Sequence, residues 1–211
     1  MRYAVVYSKG GVGKTTIAVH LATYLANQGP TLLIDGDPQE TAATWITWRR
    51  EEAPNAVTPT TVRLVGKAIL DEGREVASGF THTVIDSDGR DGPGMRNALL
   101  LADRAIVPLG YEGFDTIDLQ NFKQNVELAQ DFNPNLKVRI LLARVHSQSK
   151  LDGLVKDLNE MGFEVFSQRI RELMVYRYAG ANGLTVHEHK PRHAAANHDM
   201  RSFYEELEEW K

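Results

Sequence analysis

The chain has 211 residues, enough for one α/β domain with a proper core; its 42% hydrophobic and 25% charged content fit an ordinary globule. A formal net charge of −4 gives no global positive field, so any nucleic-acid site must be a local patch. The absence of cysteine excludes disulfides, thiolate zinc sites and cysteine-ligated clusters, and no apolar stretch approaches the roughly 20 residues that cross a bilayer.

Apolar runs alternate with helical patterns from the start. Residues 3–7 read as a first strand with no secretory leader. A glycine-rich loop follows, Ser8-Lys9-Gly10-Gly11-Val12-Gly13-Lys14-Thr15-Thr16, and then a helix over 16–27. Strand, glycine loop and helix form the context of a phosphate-binding loop. Glycines let backbone N–H groups converge on phosphate oxygens, and the helix presents its positive end to the same anion. In that pattern Lys14 reaches the β- and γ-phosphates and the Thr15 hydroxyl ligates Mg²⁺. Ser8 replaces the first glycine of the usual motif, and a second lysine, Lys9, stands beside it.

Residues 31–34 predict a second buried strand, ending in Asp35-Gly36-Asp37-Pro38-Gln39. A helix is expected over 40–51, with Trp45 and Trp48 as packing residues. Residues 62–65 predict a strand, 66–77 a helix, and 81–85 a strand ending at Asp86. Gly89, Gly92, Pro93 and Gly94 mark a loop. A helix at 95–102, a strand at 105–109, a helix at 116–131 and a strong strand at 138–145 follow. A helix at 151–161, a last strand at 165–170 and an acidic helix at 200–210 complete the pattern. His187, His189, His193 and His198 match no common zinc spacing and read as a solvated loop. With no internal repeat and no long linker, residues 1–211 read as a single domain.

Strands without alternation, separated by helices, imply a doubly wound, mostly parallel sheet with helices on both faces. Right-handed crossovers place all strand C-termini on one edge, where ligands bind. Three loops fall on that edge: 8–15, 35–39 and 86–94. Asp86 is expected to hold Mg²⁺, and Asp37 to orient a water for attack on the γ-phosphate or to serve as a further metal ligand. Asp35 would be its competitor or helper, with turn capping as the alternative for both.

These motifs resemble the ParA/MinD ATPases. Residues 9–16 look like their deviant Walker A loop, Asp35-Gly36-Asp37-Pro38-Gln39 like their D-x-D-P-Q segment, Val84-Ile85-Asp86 like their Walker B strand, and Ile106-Val107-Pro108 like a later strand ending in proline. The resemblance implies a P-loop fold, ATP and Mg²⁺ as cofactors, and slow ATP hydrolysis by a homodimer that sandwiches nucleotide. In that sandwich the lysine matching Lys9 reaches the partner's phosphates, an effect like that of an arginine finger. Lys9, Lys14 and Asp37 are then the catalytic residues. Gly10, Gly11, Val12, Gly13, Lys14, Thr15 and Thr16 form the cradle, and Pro108 and Arg144 stand where relatives contact nucleotide.

The small plasmid partition ATPases are the branch most similar, since the sequence starts at its first strand with no helix-turn-helix ahead. They imply ATP-dependent, non-specific DNA binding, a ParB-type centromere-binding adaptor, and a cytoplasmic, nucleoid-associated location. Basic positions are Arg139, Arg144, Lys150, Lys156, Arg169, Arg171, Arg177, Lys190, Arg192 and Arg201; Arg169, Arg171 and Arg177 are the first choice for DNA. A MinD-like membrane-surface ATPase is one alternative, although four glutamates in the tail would be repelled by anionic lipid. A dethiobiotin-synthetase-like enzyme is another, opposed by Lys9 and the D-P-Q segment. No Asn-Lys-x-Asp occurs, which argues against guanine.

Overall fold

The computed structural model describes residues 1–110, 115–146 and 151–210. Seven strands form one sheet: β1 (Arg2–Val5), β2 (Thr31–Gly36), β3 (Thr60–Arg63), β4 (His82–Ser87), β5 (Arg104–Leu109), β6 (Lys137–Val145) and β7 (Glu164–Arg171). Every pairing is parallel, in the order β3-β2-β4-β1-β5-β6-β7. The chain reverses its winding direction at β1, which therefore lies at the sheet's centre and switch point. Crevices at the carboxyl ends of strands beside such a point are where α/β sheets bind ligands.

Helices cover both faces. On one lie α1 (Lys14–Ala26), α2 (Thr41–Glu52), α8 (Met174–Gly180) and α9 (Ala194–Glu209). On the other lie α3 (Ala68–Asp71), α4 (Gly73–Ala77), α5 (Pro93–Leu101), α6 (Thr116–Phe132) and α7 (Asp152–Glu160). Central strands feed both layers: in β1 Ala4 packs into one cluster and Val5 into the other. Two-sided burial explains why these strands carry apolar runs and not alternation.

The predicted elements are all present, with four differences. Pro93 and Gly94 open α5 and do not belong to the loop, since proline suits the first position of a helix. The helix expected at 66–77 is broken into α3 and α4. At Gly73 a Cβ would meet Leu101 Cδ2 at 3.1 Å and Ile34 Cδ1 at 3.3 Å, so the chain there is pressed onto the sheet. The short helix α8 carried no prediction. The last helix begins at Ala194, six residues earlier than expected, because His193 caps it by accepting a hydrogen bond from the Ala196 N–H at 3.3 Å. His198 thus stands within a helix and not in a loop. Trp45 is buried, but Trp48 is 42% exposed and packs less than expected.

The acidic tail helix is held by its apolar face. Phe203, Tyr204, Leu207 and Trp210 are all buried. Phe166 on β7 meets Phe203 and Trp210 edge-on at 5.5 and 5.2 Å, and Tyr24 of α1 stacks on Tyr204 at 4.0 Å. Each such side chain contributes about 2 kcal/mol on burial. The tail is therefore part of the core.

A fully buried arginine fastens α2 to the segment before α9. Arg49 donates to Val57 O, Gly183 O and both carboxylate oxygens of Glu188, with its guanidinium 5.2 Å from the Trp45 ring centroid. A buried guanidinium is tolerable only with such complete pairing. Burial alone would raise the Glu188 pKa, yet Arg49 and the Thr185 N–H and hydroxyl hold it below the ordinary value. Gly183 sits against the α2 backbone at φ 62°, and a Cβ there would fall 2.1 Å from Arg49 N. The same segment reaches α1: the Val186 N–H donates to His20 Nε2 at 3.1 Å, while His20 Nδ1 donates to Thr16 O at 2.8 Å. That pairing fixes the neutral tautomer, and burial pushes the imidazole pKa down to about 4.

Two outcomes follow. Gly183→Ala should destabilise the fold by on the order of 3 kcal/mol, seen as a fall in Tm of roughly 6–12 °C in thermal unfolding. His20 binds no proton in the folded state where the unfolded chain does. Stability is therefore lost as pH falls from about 6.5 toward about 4, on the order of 3 kcal/mol in all from this group. NMR titration should show the His20 ring neutral at pH 5.

Candidate functional site

The glycine loop leaves the end of β1 and turns into α1. Gly11 and Gly13 adopt φ 75° and 97°, values that side chains rarely reach, and Gly13 is the N-cap of α1. A glycine cap brings no side-chain acceptor, and the first turn holds no acidic residue. The N-terminal amides of α1 are therefore left for an external anion. Val12 turns its side chain into the core, so its contribution to the loop is backbone alone.

A cavity of about 370 Å³ opens over this turn, lined by Gly10, Gly11, Gly13, Lys14, Thr15 and Thr16. Asp37, Thr41 and Gly89 add the β2 and β4 ends, and Arg144, Ile170, Leu173, Tyr176 and Arg177 complete the far wall. Lys14 is 7% exposed, and its ammonium donates to Lys9 O at 2.6 Å. Burial lowers its pKa, opposed by the nearby carboxylates of Asp86, Asp37 and Asp88.

Asp86 carries the sharpest electrostatic signal. It is fully buried beside Val5 of β1, in register with Asp35 of β2. Neither carboxylate oxygen has a hydrogen-bond partner among the described residues. Burial therefore raises its pKa to about 8, although the neighbouring Thr15 hydroxyl and Lys14 act in the opposite sense. Buried acceptors without donors are costly and mark a place where a ligand completes the site. A hydroxyl and a carboxylate fit Mg²⁺, which takes one or two protein ligands plus phosphates and water. The described residues hold no cluster of three His, Cys, Asp or Glu side chains that would form an all-protein metal cage.

Asp35 and Asp37 have separate tasks. Asp35 is fully buried and accepts from the N–H groups of Asp37 (3.1 Å) and Ala43 (2.8 Å), fixing the turn and the start of α2. Asp37 caps the turn through Gln39 N at 2.9 Å and lines the cavity. The loop after β4 lies against the glycine loop: a Cβ on Gly89 would come within 2.9 Å of Gly10 Cα and 3.0 Å of Lys14 Nζ.

Other expected residues divide. Arg144 lines the cavity from a left-handed backbone, φ 54°, with its guanidinium bonded to Gly11 O and, at 2.5 Å, to Glu172. Glu172 has its carboxyl held low by Arg144. Pro108 lies inside β5, paired with Leu141, and is not part of the cavity wall. Lys9 is not among the residues that line the cavity, and its Nζ lies 2.7 Å from Asp118 of α6. Arg171 is bound to Asp199 at 2.6 Å and to Ala195 O, whereas Arg169 and Arg177 are exposed. Arg139 is spent on Glu164 and on the rings of Phe166 and Trp210. Lys150 lies outside the described residues.

The sequence reading missed the far wall, Ile170, Glu172, Leu173 and Tyr176. The available signal was the spacing of Val175 and Ala179, both buried on one face of α8. Seven residues give too short a pattern to separate from a loop.

A family model described as "CobQ/CobB/MinD/ParA nucleotide binding domain" matches residues 3–186. The chain is 30% identical to a maintenance of carboxysome distribution protein A of Gloeobacter kilaueensis over 99% of its length and 94% of the relative's. It is 27% identical to the chromosome-partitioning ATPase Soj of Thermus thermophilus, covering 98% of the chain and 94% of the relative. Among solved structures, a plasmid partition protein of Borrelia burgdorferi bound to AMPPNP superposes with a TM-score of 0.74 at 19% identity, over 99% of this chain and 98% of that one.

The orphaned carboxylate makes a stability prediction. Asp86 keeps its proton in the folded state up to about pH 8, whereas an unfolded aspartate loses it near pH 4, so this group's contribution is lost as pH climbs between those values. Asp86→Asn should therefore raise the stability of the nucleotide-free protein at pH 8, by on the order of 1 kcal/mol in urea unfolding, and flatten the pH dependence above neutrality.

Proposed function

The chain belongs to the CobQ/CobB/MinD/ParA nucleotide-binding family, and from that premise we propose that it is a ParA-type ATPase that positions cargo along DNA. It binds ATP with Mg²⁺, dimerises on ATP, binds DNA without sequence preference and hydrolyses ATP slowly under the control of a DNA-bound adaptor. The observation that carries this reading is the convergence of Lys14, Thr15, Asp37 and the unpartnered Asp86 around the uncapped start of α1.

Each residue then has a role. The α1 amides and Lys14 neutralise the phosphates. The Thr15 hydroxyl and Asp86 hold Mg²⁺, which offsets charge on the β- and γ-phosphates when bound. Asp37 orients the attacking water. Lys9 serves the second chain's phosphates, so that ATP occupancy and dimerisation are coupled. Arg144 and the wall of Ile170, Leu173 and Tyr176 receive the base side of the nucleotide. The exposed Arg169 and Arg177 are the DNA contacts of choice, and Arg171 supports them through its hold on Asp199.

The cargo has two readings. Plasmid or chromosome segregation follows from the partition relatives. The name of the Gloeobacter relative favours a second, in which an ATPase of the same mechanism distributes a protein body.

The test is a set of paired assays. Lys9→Ala should keep nucleotide binding and lose the ATP dimer, whereas Asp37→Ala should dimerise on ATP yet hydrolyse it at least 100-fold more slowly in single-turnover measurements. ATP-dependent DNA binding should weaken steeply with salt and fail in Arg169→Glu/Arg177→Glu. Equal DNA binding with and without ATP would refute the reading.

A further inference from the structure

In the single chain the lysine assigned to the partner's phosphates is already engaged. Lys9 Nζ lies 2.7 Å from Asp118 Oδ2, with the two side chains 35% and 37% exposed. Asp118 sits in the first turn of α6, and that turn is rigidly placed. Asp115 caps the helix, its carboxylate accepting from the N–H groups of Ile117 at 2.9 Å and Asp118 at 3.3 Å. Leu119 and Phe122 root the helix in the core, and Phe122 meets Tyr7, just ahead of the glycine loop, edge-on at 5.5 Å. The carboxylate is thus presented to the loop by a fixed element. Beside it Ile117 is 68% exposed.

We propose that Asp118 is a latch that holds Lys9 within its own chain and that a second copy of this chain must break it to dimerise on ATP. The inference rests on the trans role of Lys9 given above. A lysine paired in cis cannot at the same time neutralise phosphate charge across a dimer, so the two contacts compete. The pair has the strength such a device requires. Half-exposed ion pairs are weak, so ATP from both chains can displace the carboxylate, whereas a buried pair would lock the monomer. Each dimer breaks two latches, which makes the threshold steeper than one pair would. Ile117 then lies at the face that meets the second copy.

The test is sedimentation of wild type, Asp118→Asn, Asp118→Glu and Lys9→Ala across protein concentration, with Mg²⁺ and a non-hydrolysable ATP analogue. Asp118→Asn should lower the concentration of half-dimerisation by about three- to tenfold, and Asp118→Glu should stay within about twofold of wild type. ADP affinity measured alongside reports that each variant is folded. An unchanged or raised midpoint in Asp118→Asn, with wild type dimerising and Lys9→Ala monomeric, overturns the latch and leaves the trans role standing. Failure of wild type to dimerise, or dimerisation of Lys9→Ala, overturns the trans role and the latch with it.

Discussion

The uncapped start of α1 is the constraint from which the site follows. A helix that opens on glycine, with no side-chain cap and no acidic residue in its first turn, leaves its amides facing the cavity. That positive end needs an anion, and Lys14 adds a buried cation to the same place. The sheet order then brings Asp37 and Asp86 to the same edge, from strands on one side of β1. These groups are poorly matched to one another: Lys14 leans on a backbone carbonyl, and burial outweighs the Thr15 hydroxyl and Lys14 at Asp86, whose oxygens have no hydrogen-bond partner within bonding distance among the described residues. The imbalance is the physical form of a site built for phosphate and a divalent cation.

The surrounding structure keeps that arrangement rigid. Segment 183–188 touches two of the four helices on the site's face, α2 through Arg49 and α1 through His20. Thr16, in the first turn of α1, and the helix that follows Asp37 are thereby tied to one strip of chain. Asp35 adds a second anchor where α2 begins. The helices that follow Lys14 and Asp37 are thus joined by groups outside the cavity. Such remote fixing is what phosphoryl transfer needs, since positioning and electrostatics supply most of its catalysis.

Charge at the surface is used differently from charge in the core. Arg49 is fully buried and fully bonded, and it serves as a structural post. Lys9, Arg144 and Arg177 are partly or wholly exposed, each near a carboxylate on another element. Pairs of the first kind are costly to break, and pairs of the second kind exchange partners readily.

The loop 8–16, the aspartates ending β2 and β4 and the parallel, two-faced sheet could be read from the chain itself, because glycine spacing, strand-end acids and unbroken apolar runs are local patterns. Family membership followed from the same short segments. Other features were set by contacts between residues far apart in sequence. The break at Gly73 depends on Leu101 and Ile34, and the burial of Arg49 on Glu188. The removal of Pro108 from the site and of Arg171 from a common basic patch depends on β6 and on Asp199. The pairing of Lys9 with Asp118 joins residues separated by four strands and five helices. Sequence determined which groups carry the chemistry; only the packed structure decided which of them are spent on holding the fold, since pairing at that range is a property of the tertiary arrangement and leaves no periodicity to read.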